Sequence, residues 1–160
     1  MTITTYQEDY KKAIANLIIN IQQGEFNVPI TIEQQPDLAD IPNFYQKGKG
    51  NFWIALNDES EVIGTLAVID MGDNSGAIRK MFVHHDYRGK EFGVAQKLFQ
   101  TLKGWSKVQN IQHLYLGTLE RLGAARRFYE RNGFTNIEKQ DLPASFPLMA
   151  VDTHFYQIHL

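Results

Sequence analysis

The sequence predicts one α/β domain of the α+β kind: a mixed, mostly antiparallel twisted sheet of six to seven strands, with about four helices on its two faces. Three observations carry that prediction. The chain has 160 residues, a length that suits one hydrophobic core, and no repeat, low-complexity tract or linker interrupts it, so residues 1–160 read as one domain. The stretches "NFWIAL", "EVIGTLAVID" and "AIRKMFV" follow one another across short polar turns, as antiparallel neighbours do. From Ala77 onward the order becomes strand, turn, helix, strand, which requires a crossover and a parallel pair.

Thr2 to Tyr6 alternates weakly and is read as a first strand. Tyr10, Ile14, Leu17, Ile18 and Ile21 recur at helical spacing and predict an amphipathic helix from Glu8 to Gln23, ended by Gly24. "EFNVPITIEQQP" is irregular, and Pro36 opens a shorter helix through about Tyr45. "KGKG" is a turn. "NFWIAL" and "EVIGTLAVID" are strands across the turn "NDES"; the second is apolar on both faces, as a central strand covered on both sides must be. After the turn "MGDNSG", "AIRKMFV" is the third strand. A charged, glycine-bearing turn leads into a long helix whose Ala95, Leu98, Phe99, Leu102 and Trp105 make one stripe. "HLYLGTL" is a strand, "GAARRFYERNGF" a helix closed by Asn132-Gly133, and "TNIEKQ" and "VDTHFYQIHL" are the last strands.

Composition removes several function classes. The formal charge is −2 and charges of both signs are dispersed, so nothing asks for a nucleic-acid partner. There is no cysteine, hence no disulfide, thiolate metal site or cysteine nucleophile. No apolar run approaches the roughly 18 residues of a membrane span. "MTITTYQEDYKK" lacks a basic region followed by an apolar run, and the expected location is cytoplasmic. Five histidines occur without HxxxH or HExxH spacing, so no metal site is expected.

The stretch "MFVHHDYRGKEFGVAQKLF" carries the chemistry. A helix N-terminus exposes unpaired N–H groups and partial positive charge. Glycines let a ligand approach the backbone closely, and Arg88 and Lys90 add full charges. These parts suit a phosphate or pyrophosphate. The same composition also serves merely to turn a chain in water, and the turn alone does not choose. Neither GxxxxGK[ST] nor GxGxxG is present, which argues against a nucleotide triphosphatase loop and a dinucleotide-binding domain.

"YRGKEFGVAQKLF" resembles the signature of the GNAT N-acetyltransferases, Arg/Gln-x-x-Gly-x-Gly/Ala, with Arg88 first and Gly93 last. "AARRFYERNGF" is similar to the family's later motif, a helix carrying Phe-Tyr and ending in Asn-Gly-Phe. The motifs span about Ala77 to Phe134, and the element order extends the likeness to the whole chain. The resemblance implies a sheet splayed in the middle and acetyl-CoA as co-substrate. Its pyrophosphate would rest on Arg88, Gly89, Lys90, Glu91, Phe92, Gly93 and Val94. The pantetheine arm would pair along Met81, Phe82 and Val83, with Ala125 and Phe128 on the cofactor side of the later helix. A β-bulge is the expected device for opening the slot. The sequence departs from the pattern twice: Glu91 replaces the middle glycine, and Leu122 stands where many relatives carry asparagine. Glu91 is expected to turn outward and offer only its backbone N–H.

In this reading a neutral amine attacks the thioester directly in a ternary complex; without cysteine there is no acetyl-cysteine intermediate. The resemblance makes Tyr129 the general acid, although Phe-Tyr on an amphipathic helix also packs in cores with its hydroxyl tied to backbone. The oxyanion donor is expected to be a backbone N–H near Phe82 or Val83, with Val83 preferred. For the base, Glu33, Asp70, His84, His85, Asp152 and His154 stay open, as does a water wire; adjacent His84 and His85 on a strand would point oppositely. The acceptor, a small-molecule amine or a protein amino group, is expected between residues 25–35 and "LPASFPLMAVD", with Phe26 and Glu33 as substrate candidates and the acids able to hold a cationic amine. A non-catalytic acyl-CoA-binding sensor and a plain interaction domain are the rival readings. The final strand is a candidate for pairing with a second subunit in a homodimer.

Overall fold

The computed structural model describes residues 1–160. Seven strands form one sheet in the order β1-β2-β3-β4-β5-β7-β6. They are β1 (Thr2–Thr5), β2 (Asn51–Leu56), β3 (Val62–Gly72), β4 (Ser75–Val83), β5 (His113–Thr118), β6 (Thr135–Ile137) and β7 (His154–His159). Only β4 and β5 run parallel. The α-helices are α1 (Lys11–Ile19), α2 (Ile41–Phe44), α3 (Val94–Gln109) and α4 (Gly123–Arg131).

Strand alternation divides the core. In β2, Phe52 and Ile54 face the side covered by α1 and α2, with Ile14, Leu17, Ile18 and Tyr45. Trp53 and Ala55 face α3 and α4, with Leu98, Phe99, Leu102 and Phe128. Every residue of β2, and of β3 from Val62 to Val68, is buried, which explains the continuous apolar reading of β3. Trp105 on α3 packs edge-on against Trp53, and its indole N–H donates to the Lys49 carbonyl at 2.8 Å.

Three local readings need correction. The first helix does not end at Gly24: after Ile19 it widens into a π-turn over Asn20–Glu25, which Phe26 closes by donating to the Ile21 carbonyl. The stretch from Pro36 to Tyr45 is not one helix. Pro36–Ala39 is a 3₁₀ turn, and Asp40 then caps α2 by accepting from the Asn43 amide. The final strand is not an edge. β7 pairs with β5 on one side and, over Phe155–Gln157, with β6 on the other, so it is not an edge strand along its length. The sheet's edges are β1 and β6.

Candidate active site

The two parallel strands separate almost at once. β4 and β5 pair only at Ser75–His113, Gly76–Leu114 and Ala77–Tyr115. Beyond that, β4 keeps β3 and β5 keeps β7, and a V-shaped slot opens between them. The bulge responsible is at Lys80. Thr65 faces Phe82 but Ala67 faces Arg79, so β4 carries an extra residue there. Lys80 adopts φ 55°, the left-handed region, and its carbonyl accepts from the Thr65 hydroxyl at 2.6 Å.

Lys80 is held from its side chain as well. It lies 9% exposed, its ammonium donates to Gln35, and Asp37 is 3.5 Å away. Tyr45 donates to the same Asp37 carboxylate at 2.5 Å, and Gln35 and Gln22 exchange amide hydrogen bonds at 2.9 and 3.2 Å. Burial pushes the Lys80 ammonium below its usual range while Asp37 pulls the other way. Two adjacent charges in the middle of "AIRKMFV" were the only sequence signal for this network.

The slot contains a cavity of about 130 Å³. β4 contributes Ile78 to Phe82, β5 and the residues after it Leu116 to Leu119, and the π-turn and its continuation Gln22, Phe26, Val28 and Ile30. Met149, Val151 and Asp152 roof it, and Leu122, just ahead of α4, and Tyr129 on α4 close it. Of the expected site residues, Met81, Phe82, Tyr129 and Phe26 meet here. Glu33 does not: it is exposed and outside the lining. Val83 follows just beyond on β4. His84 donates its amide to Ile63 of β3 at 2.8 Å, so the alternation of the strand turns the Val83 N–H toward the gap, where no strand pairs with it.

Tyr129 is 6% exposed, ringed by Phe128, Phe134 and Tyr156. Its hydroxyl makes no hydrogen bond. Ser106 Oγ is the one fully buried side-chain polar atom without a partner, so the Tyr129 hydroxyl opens to the cavity rather than to dry core. Desolvation, aided by the nearby Asp152 and Tyr156, raises its pKa well above the ordinary tyrosine value, and it stays protonated.

Of the base candidates, Asp152 alone lines the cavity. It seats its carboxylate over Gly117, where any Cβ would strike it. Desolvation pushes it up to about 6, against a lowering by Arg79. Arg79, from the bulged strand, donates to the Pro147 carbonyl and so ties the roof down. The other candidates are occupied elsewhere. Asp70 accepts from the Lys49 and Gly72 amides in the turns that carry it. His154 shares a hydrogen bond with Thr153. The two adjacent histidines do not point oppositely: the strand ends at Val83, and His84 and His85 stack face to face at 4.4 Å outside this cavity. With Asp86 they offer atoms within 4.8 Å of one another.

The turn ahead of α3 presents a row of free amides. Gly89 has φ 107° and Gly93, the residue before the helix, φ 64°, both costly for any residue with a Cβ. The amides of Gly89, Lys90 and Glu91, and those of Val94, Ala95 and Gln96 in the first turn of α3, have no backbone acceptor. Phe92 and Gly93 instead donate to the Gly89 carbonyl. Lys90, Glu91 and Phe92 are exposed, and the Glu91 carboxylate lies back over Gly89, 3.7 Å from where a Cβ would stand. Arg88 is spent elsewhere: it grips Glu25 with two contacts of 2.8 and 2.9 Å and donates to the Val83 carbonyl at 2.8 Å. It thereby fastens the π-turn to the end of β4, and Glu25 is lost as an acid for an acceptor. Phe128 packs against Phe99, and Ala125 against the same core.

The sheet splays between β4 and β5, a tyrosine lines the cleft and free amides line the turn ahead of α3, a combination suited to acyl transfer. The acetyltransferase (GNAT) domain model matches residues 48–136, more than half of the chain. The chain belongs to the GNAT acetyltransferase family. An acetyltransferase of the family from Staphylococcus aureus is 38% identical, with a TM-score of 0.95 over 99% of this chain and 98% of that one. PaiA N-acetyltransferase from Thermoplasma acidophilum, solved with coenzyme A, shares the fold at 13% identity and a TM-score of 0.76, over 99% of this chain and 98% of that one. N-acetylaspartate synthetase of Homo sapiens is 32% identical over 127 residues, 76% of this chain and 41% of that protein. The Xenopus tropicalis protein of that name is 33% identical over 103 residues, 63% of this chain and 37% of its own length. The chain thus spans about two fifths of the length of these curated relatives. No helix is long and apolar enough to cross a membrane.

Proposed function

We propose that this chain transfers the acetyl group of acetyl-CoA to the amino group of a small acceptor, by direct attack in a ternary complex. The observation that carries the reading is the unbonded Tyr129 hydroxyl facing a cleft whose wall, β4, runs on in sequence to the turn that holds a row of free amides. The relatives named N-acetylaspartate synthetase and the PaiA enzyme solved with coenzyme A support it.

The residues fit the co-substrate. Six amides without backbone acceptors, set by two left-handed glycines, suit a pyrophosphate. The edge of β4 from Met81 to Val83, which no second strand joins on the β5 side and where only the Val83 carbonyl is taken, by Arg88, suits an arm that adds like a strand. Acetyl-CoA supplies the activated thioester; the rest is done by the chain. Asp152, ionised above about pH 6, takes the proton from the incoming ammonium, directly or through one water. The Val83 N–H is aimed where negative charge gathers on the carbonyl oxygen. Tyr129 hydrogen-bonds the departing sulfur. Its proton passes to that sulfur as the carbon–sulfur bond breaks, and the attacking nitrogen, losing its second proton as the amide forms, restores the proton to the Tyr129 oxygen.

Tyr129→Phe tests the reading. Acid catalysis contributes roughly 10²–10⁴-fold, so turnover measured by thiol release should fall by about 10² or more while acetyl-CoA affinity holds. Unchanged turnover removes Tyr129 from the chemistry.

A further inference from the structure

We infer that the acceptor is an amino acid or another small amine bearing a carboxylate, which Arg79 reads while Asp152 receives the amine. The inference rests on the acetyltransferase reading above and adds the acceptor's chemistry. Besides Tyr129 the cleft's ionisable inventory is short: Asp152 is its one carboxylate, and Arg79 and Lys80 are its cations. Lys80 is already paired with Asp37 and donates to the Gln35 amide oxygen. The acids that would have drawn a cationic amine are elsewhere, Glu25 on Arg88 and Glu33 in solvent.

Two unmatched charges are left. Arg79 has no carboxylate within ion-pair distance, and its one bond is to the Pro147 carbonyl, which leaves most of its five donors free. Asp152 has neither an ion pair nor a side-chain hydrogen bond, in a cleft lined by 12 hydrophobic residues out of 18. Enclosed charges are ordinarily paired, because desolvation is costly. Here an anion and a cation face the same apolar space without closing on each other. A zwitterion matches both, with its ammonium toward Asp152 and its carboxylate on the guanidinium fork, whose planar donors suit it. Size agrees: about 130 Å³ is near the roughly 150 Å³ cavity that accepts one benzene ring. Two positions fix the geometry. Gly117 lets Asp152 lie on β5, and the Lys80 bulge sets where Arg79 leaves β4.

The test pairs each amino acid with its carboxylate-free counterpart: lysine with cadaverine, leucine with isoamylamine, aspartate with its dimethyl ester. Thiol release is followed with wild type, Arg79→Met and Arg79→Lys, and acetyl-CoA binding is read separately by thermal shift. Wild type should favour the carboxylate-bearing member by about 10–100-fold in kcat/KM. Arg79→Met should bring that ratio near unity, and Arg79→Lys should keep part of it, with the acetyl-CoA shift unchanged in both. Preference for the carboxylate-free amines, or a ratio that Arg79→Met leaves intact, overturns the inference. So does an acetyl-CoA shift with no release from any acceptor. Absence of both shift and release overturns the acetyltransferase reading itself. If Arg79→Met does not fold, the wild-type panel and Arg79→Lys decide.

Discussion

Replacing Asp152 by asparagine separates two consequences of one buried carboxylate. Desolvation in the cleft raises this group from 3.8 to about 6. With such a value, its ionised fraction falls from about nine tenths at pH 7 to about one tenth at pH 5, so kcat/KM should drop roughly tenfold across that range on this account alone. The variant should lose that acid limb and run about 10²-fold slower on the plateau. Stability moves the other way. The folded state keeps a proton that the unfolded chain releases between about pH 4 and 6, so the native carboxylate costs stability as pH rises through that window. Asparagine carries no such cost. After allowance for solvent reaching the group, the gain above pH 6 should be on the order of 1–2 kcal/mol, a Tm rise of roughly 3–6 °C for a chain this size. That gain should vanish below pH 4. The assay is thiol release from pH 5 to 8, alongside thermal unfolding at each pH. An acid limb that survives in the variant, or a Tm that drops equally at every pH, would refute the argument.

Glu91→Gln removes a carboxylate from beside the amide row, so acetyl-CoA should bind a few-fold tighter at low salt, with the advantage shrinking as ionic strength rises; calorimetric titration at two salt concentrations checks this. Lys80→Met leaves Asp37 buried without its cation and should cost about 3–5 kcal/mol in denaturant unfolding, much of it recovered by adding Asp37→Leu. Ser106→Ala should raise stability by about 0.5–1 kcal/mol in the same assay, because the Ser106 hydroxyl is fully buried on α3 with no partner and alanine favours the helix.

Much of the fold could be read locally because each cue acts locally. β2 lies where its apolar run predicts, α3 carries the expected stripe, and α4 ends at Asn132-Gly133 with Gly133 at φ 92°. The amide row was legible for the same reason: two glycines must sit where the backbone turns left-handed before a helix. The readings that failed depended on what lies across space. A π-turn and an exposed carboxylate separate Glu25 and Glu33 from the cleft, and only the ladder shows β7 to be interior.

The sequence by itself determined the order of elements, the helix-capping turn and the tyrosine on its motif helix. Periodicity and glycine placement are short-range constraints on the chain. Tertiary structure decided the rest: that Lys80 is the bulge, that Asp152 rather than a histidine enters the slot, and that Arg79 stands opposite it without an ion pair. These depend on strand register and on residues 143–152 folding back over β4 and β5. A one-residue change of register in β4 would turn the Arg79 and Lys80 side chains to the other face.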